Sequence, residues 1–108
     1  MNDLDDDLDD CPPTPEFPDA LVRDLLIINK KGLHARATAK FVQCVEKFDA
    51  DVQVARCGEI VGGTSIMGIL TLGAGIGSTI RVAAKGEQAQ EALDAITALV
   101  ANRFGEDE

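Results

Sequence analysis

At 108 residues, 45% of them hydrophobic, the chain is sized for one domain whose core is aliphatic plus four phenylalanines, since tryptophan and tyrosine are absent. Its formal net charge of -9 argues against nucleic acid as a partner. No apolar stretch approaches a membrane span and the acidic start carries no secretory signal, so the expectation is a cytoplasmic protein that does not enter a membrane.

The charge is unevenly placed. Residues 1–20 hold eight acids (Asp3, Asp5, Asp6, Asp7, Asp9, Asp10, Glu16 and Asp19) and no Lys or Arg, which leaves 11 acids against 10 bases for residues 21–108. One charge sign together with Pro12, Pro13, Pro15 and Pro18 predicts an acidic disordered extension over 1–20 and a nearly neutral domain over 21–108. Cys11, Cys44 and Cys57 form an odd set without a CxxC pattern, and the chain has one histidine, so no metal site is expected. Free thiols would fit a reducing cytoplasm.

Arg23 to Asn29 is a short aliphatic run bounded by polar residues and predicts the first strand. From Ala35 to about Phe48 the period changes. Thr38, Phe41, Val42, Val45 and Phe48 recur at helical spacing, with Lys40, Gln43 and Lys47 opposite. Asp51 to Ala55 alternates as a half-exposed strand does, Arg56-Cys57-Gly58 supplies a tight connection, and Glu59 to Gly62 returns as the hairpin partner. Ser65 to Thr71 predicts a short amphipathic helix that Thr64 or Ser65 can cap. A turn-rich loop, Gly73 to Ser78, leads to a fourth strand over Thr79–Ala83. Ala89, Leu93, Ile96, Val100 and Phe104 then predict a last helix from Gly86 to about Arg103, with Gly105 as its stop. The order βαββαβα predicts an α+β open-faced β-sandwich, a four-stranded antiparallel sheet with helices packed on one face.

One stretch carries chemistry. Gly32-Leu33-His34-Ala35-Arg36 holds the single histidine at a predicted helix start, two residues after a glycine. A neutral imidazole is a good nucleophile near neutral pH, its ordinary pKa being about 6.5, and a phosphoramidate formed on it is labile. A helix start offers unpaired N–H groups and the positive end of the macrodipole, where phosphate is a natural guest. Arg36 can add a forked, charge-assisted contact to phosphoryl oxygens. Between Asp24 and Glu46 no acid occurs, while Lys30, Lys31, Arg36 and Lys40 do, so an acidic chain carries a local basic island suited to an anion.

Gly-Leu-His-Ala-Arg followed by an apolar helix resembles the active-site motif of HPr, the phosphocarrier of the bacterial phosphotransferase system. Ser65-Ile66-Met67-Gly68-Ile69-Leu70 resembles the family's regulatory-serine segment at the expected distance downstream. The resemblance covers roughly Leu21 to Phe104. It implies that His34 accepts a phosphoryl group on Nδ1 from enzyme I, itself charged from phosphoenolpyruvate. His34 would then pass the group to an A-type component of an enzyme II. That is a phosphocarrier with a phosphohistidine intermediate rather than an independent enzyme, working as a monomer without cofactor. Arg36 matches the arginine that stabilises the group in transfer. Ser65 matches the position that a dedicated kinase/phosphorylase modifies in some relatives. Ile66, Met67 and Leu70 are spaced to present an apolar docking patch for donor and acceptor.

Two positions depart from the family pattern. Ala37 stands where proline is common, which removes some rigidity from the first helical turn. Thr64 stands where lysine is frequent, so a charge beside the serine is missing. These departures and the acidic extension lean toward a regulatory, nitrogen-type branch rather than sugar uptake. A different class of reading is a regulatory α/β domain that binds a small ligand or a partner without phosphoryl transfer, with Gly73 to Gly77 as its ligand loop.

Overall fold

Side-chain alternation sets the sheet. In the computed structural model, which describes residue 12 and residues 15–108, β1 (Leu21–Leu26), β2 (Asp51–Arg56), β3 (Glu59–Gly62) and β4 (Thr79–Lys85) form one sheet in the order β1-β4-β2-β3. Every neighbouring pair is antiparallel, with Leu21 opposite Ala84 and Val54 opposite both Val82 and Val61. Leu25, Val52, Val54, Ile80, Val82 and Ala84 are buried and belong to one core cluster. Three helices complete that core: α1 (Ala35–Glu46), α2 (Ile66–Thr71) and α3 (Ala89–Ala101). Ala37, Thr38, Phe41, Val42 and Val45 are the buried stripe of α1, and Ala89, Ala92, Leu93, Ile96 and Val100 that of α3. Each large apolar side chain so buried contributes about 1.5–3 kcal/mol. The predicted α+β sandwich is the observed one.

The differences have local causes. The first strand is Leu21–Leu26 rather than Arg23 to Asn29. It stops before Ile27, whose N–H donates to Ser78 O and whose carbonyl accepts from Gly77 N. It takes in Leu21 and Val22 ahead of Arg23, whose guanidinium donates to Thr97 Oγ1 at 2.9 Å and to Asp94 Oδ1 at 3.1 Å on α3. A polar residue therefore occupies a helix-facing strand position. The last helix starts at Ala89 rather than Gly86. Gly86 takes φ +118, and Gln88 N donates to Asp49 O while Asp49 N donates to Gln88 Oε1, so the entry is a reciprocal clasp with the loop before β2. That helix ends at Ala101, and Phe104 reaches the core from a short left-handed turn, Arg103–Gly105, instead of continuing the stripe. In the β2–β3 hairpin Cys57 and Gly58 both take positive φ (+52 and +83), the twist that two-residue turns between antiparallel strands favour.

Cys44 is a free cysteine but Cys57 is disulfide-bonded, which corrects the expectation of free thiols. Spacing along the chain says nothing about which positions meet in space, and that decides disulfide formation. The predicted disordered extension falls largely on residues 1–11, 13 and 14, which lie outside the described residues. Of the rest, Glu16 to Ala20 roof a cavity floored by Asp51, Gln53, Ala83 and Lys85 on the sheet face away from the helices. Arg81 ties this strap down: its Nη1 donates to Pro15 O at 3.2 Å while Nε and Nη2 fork onto Asp24. Among the described residues no helix is long and apolar enough to cross a membrane.

Candidate functional site

Three backbone contacts aim the histidine. Gly32 takes φ +66, a region other residues avoid, and its N–H closes a turn onto Asn29 O. Leu33 is buried and its N–H donates to Ala74 O at 2.8 Å. His34 follows as the N-cap of α1 in an extended conformation, its carbonyl accepting from Thr38 N at 2.9 Å. The ring makes no capping bond. The N–H groups of Ala35, Arg36 and Ala37 make no hydrogen bond among the described residues, so the first turn keeps its donors for a guest.

One cavity gathers the site. Its lining holds Lys30, Lys31, His34, Ala35, Arg36 and Lys40, which is the basic island expected from the sequence. It also holds Gly105, Glu106, Asp107 and Glu108, which the sequence reading did not include. Glu106 Oε2 pairs with His34 Nε2, and Asn29 Nδ2 donates to Glu106 Oε1 at 3.0 Å. Asn29 is fully buried, and its other amide hydrogen goes to Gly32 O at 2.9 Å. Lys30 N donates to Glu108 O at 2.7 Å, its Nζ lies 3.3 Å from Glu108 Oε1, and Lys40 Nζ donates to Phe104 O at 2.7 Å. Arg36 is exposed, with no ion pair to another described residue.

Burial alone would push the Glu106 carboxyl up, but hydrogen bonds with His34 and Asn29 and the charges of His34 and Lys31 outweigh it, so its pKa lies below the ordinary value. A folded value below the unfolded one means that the docking contribution is complete above the ordinary glutamate pKa of about 4.3 and is lost as pH falls through the lower folded value. The tail should therefore stay docked from neutral pH down into the ordinary glutamate range and release only as pH falls below it. The Glu106 side-chain carboxyl resonance, followed through an acid titration, checks this; a midpoint above the ordinary glutamate value would contradict it.

Ser65 caps α2, its Oγ accepting from Gly68 N at 3.1 Å. Ile69 of that helix is buried, while Ile66 and Met67 are exposed by 43% and 71% and Leu70 is half-buried. Helix α2 packs against α1, but none of Ser65, Ile66, Met67 or Leu70 lines the cavity at His34. His34 and Arg36 thus share a site, and the serine segment is a neighbouring surface. The glycine-rich loop is a buttress: Gly73, Gly77 and Ser78 spend their N–H groups inside the fold, and Ala74 O holds Leu33. Asn29 and Glu106 were missed because they lie 77 residues apart in sequence. The one available signal was an acidic run at 106–108 in a chain whose basic residues cluster around the histidine.

Comparison with known proteins places this geometry. A family model described as "PTS HPr component phosphorylation site" matches residues 21–102. The chain is 53% identical over 88 residues to the phosphocarrier protein HPr of Cupriavidus necator, covering 82% of this chain and 99% of that protein. It is 42% identical over 86 residues to the phosphocarrier protein NPr of Shewanella violacea, covering 80% and 94%. Among solved structures, HPr-C-His from Thermoanaerobacter tengcongensis superposes with a TM-score of 0.78 at 38% identity, covering 82% of this chain and 99% of that one.

Proposed function

This chain belongs to the HPr family, the phosphocarriers of the phosphotransferase system, and from that premise we propose that His34 is the residue that carries the group, on Nδ1. The observation that carries the reading is the occupied Nε2. With Glu106 on that nitrogen, Nδ1 is the one left to act as nucleophile, at the start of a helix whose first amides are unspent. Its lone pair attacks phosphorus on phosphorylated enzyme I. The new N–P bond forms as the bond from phosphorus to the donor's carrier atom breaks, and the donor keeps that electron pair. Arg36, exposed on the same cavity, offers its fork to the phosphoryl oxygens in transit. Transfer to an A-type component of an enzyme II runs the same step outward.

Incubation with phosphoenolpyruvate and enzyme I tests this directly. Intact mass should show one added phosphate that acid removes, and His34→Ala should take up none. Uptake that survives His34→Ala would instead favour a domain that binds partners through other residues.

Ile66 and Met67 supply the docking patch in this proposal, since both are exposed apolar side chains on the helix beside α1, and Leu70 edges it. Ser65 is the regulatory position. A phosphate there would bring about -1.5 to -2 charges to a helix start beside that patch, tolerable to the helix and adverse to an acidic partner surface. Ser65→Asp is therefore expected to slow phosphate uptake from enzyme I about tenfold, chiefly through KM, since tenfold corresponds to about 1.4 kcal/mol of lost association. An unchanged rate would remove the regulatory role. Thr64 gives a kinase/phosphorylase no basic residue beside Ser65, so its recognition would rest on other contacts. The likeness to an NPr protein supports a nitrogen-type branch beside sugar uptake; the A-type component that discharges phosphorylated His34 fastest decides between them. A donor charged from phosphoenolpyruvate, a cytoplasmic metabolite, supports a cytoplasmic location, which free thiols no longer do. We take the working unit to be a monomer.

A further inference from the structure

We infer that Glu106 is a positioning residue: held by Asn29, its carboxylate keeps a proton on His34 Nε2 and so keeps Nδ1 unprotonated for phosphoryl transfer. The inference rests on the carrier reading and deepens it. An ionised carboxylate only accepts hydrogen bonds, so the Nε2 it faces must be the protonated nitrogen. The neutral ring then has its lone pair on Nδ1. When phosphorus bonds to Nδ1 the proton stays on Nε2, the ring becomes cationic, and the carboxylate is already beside it. When the group leaves, the ring departs as neutral imidazole with its proton where it began. No proton moves in either direction, which suits a reversible carrier.

The surroundings are arranged at some cost to hold this contact. Arg103 and Phe104 take φ +55 and +56, followed by Gly105 at +78, so the chain makes a left-handed turn just before Glu106. Two non-glycine residues in that region need external support. Phe104 supplies it by complete burial, and Lys40 by donating to its carbonyl. On the other side, Asn29 is fully buried with both amide hydrogens spent on Gly32 O and Glu106 Oε1, while its own Oδ1 finds no partner among the described residues. A fold that tolerates a strained turn and an unsatisfied carbonyl at one contact is using that contact.

The Asn29 clamp makes the test selective. Asn29 presents an N–H to position 106 and requires an acceptor there. In Glu106→Gln the amide oxygen must therefore face Asn29, which turns the NH2 group toward His34 Nε2. A donor at that position draws the lone pair to Nε2 and the proton to Nδ1, the nucleophile. Glu106→Ala removes the preference without reversing it. Phosphate uptake from enzyme I should fall about tenfold in Glu106→Ala and about a hundredfold in Glu106→Gln, the range seen when partners of an oriented histidine are lost. The loss should lie in kcat, with KM for phosphorylated enzyme I changed less than about twofold.

Ring 15N spectra of the neutral imidazole should show the proton on Nε2 in the native chain and on Nδ1 in Glu106→Gln. Glu106→Gln that transfers as fast as Glu106→Ala, or that keeps its proton on Nε2, would overturn the inference, because a charge or packing role predicts that order. Should the native chain take up no phosphate at all, the carrier reading falls, and the 15N spectra still decide the role of Glu106.

Discussion

Gly32→Ala is expected to cost about 2–4 kcal/mol of stability and to slow phosphate uptake about a hundredfold. A Cβ at Gly32 would stand 2.6 Å from Ala74 O and 2.7 Å from Gly75 Cα, both backbone atoms, at a φ of +66. Neither side can yield by a rotamer change. Ala74 O already receives Leu33 N, and the same loop bonds β1's continuation through Gly77 N to Ile27 O and Ile27 N to Ser78 O. The strain must therefore appear as a shift of the turn that delivers His34 two residues on. A displacement of about 1 Å at a reacting group is enough for a hundredfold loss. Chemical denaturation and the uptake assay on the same preparation check both halves. A variant that lost stability yet transferred at the native rate would show that the turn and the histidine are not mechanically linked.

Phe104→Ala carries the second large effect, about 3–5 kcal/mol. Phe104 is fully buried in the same core as Phe41, Leu93 and Ile96. Its removal leaves a cavity where α1, α3 and the tail meet, and it also releases the left-handed turn whose conformation it sustains. Against a total of about 5–15 kcal/mol for a domain of this size, the variant is expected to be marginal. Urea midpoints should fall with an unchanged slope. Phe104→Leu keeps most of the volume and should cost under about 1.5 kcal/mol. Comparable losses in the two variants would mean that the aromatic ring fills no specific space.

What could be read before the structure was what is local. His34 and Arg36 stand two residues apart at a helix start, and Gly32 announces the turn, so the site that the proposal rests on could be picked out from five consecutive residues. The strands and helices followed from alternation and helical spacing over windows shorter than fifteen residues. Arg23 hid the start of the first strand, since a polar residue at a helix-facing position reads as a boundary and leaves Leu21 and Val22 outside the aliphatic run. Phe104 fitted a helical stripe in spacing and reached the core by another route, since spacing carries no information on a chain reversal. Asn29 and Glu106 were silent for a deeper reason: each is ordinary in its own neighbourhood, and their meaning comes from the tertiary contact that joins them. Cys57 was misread in the same way.

The strap over the sheet and the tail over the histidine offer two very different places for attachment. Residues 15–20 run along the face remote from the helices. Residues 106–108 line the rim of the cavity that holds His34, with Glu108 beside Lys30. A bead or fluorophore linked to residues 15–20 would therefore sit away from the transfer assay's chemistry, whereas one linked to residues 106–108 would crowd it.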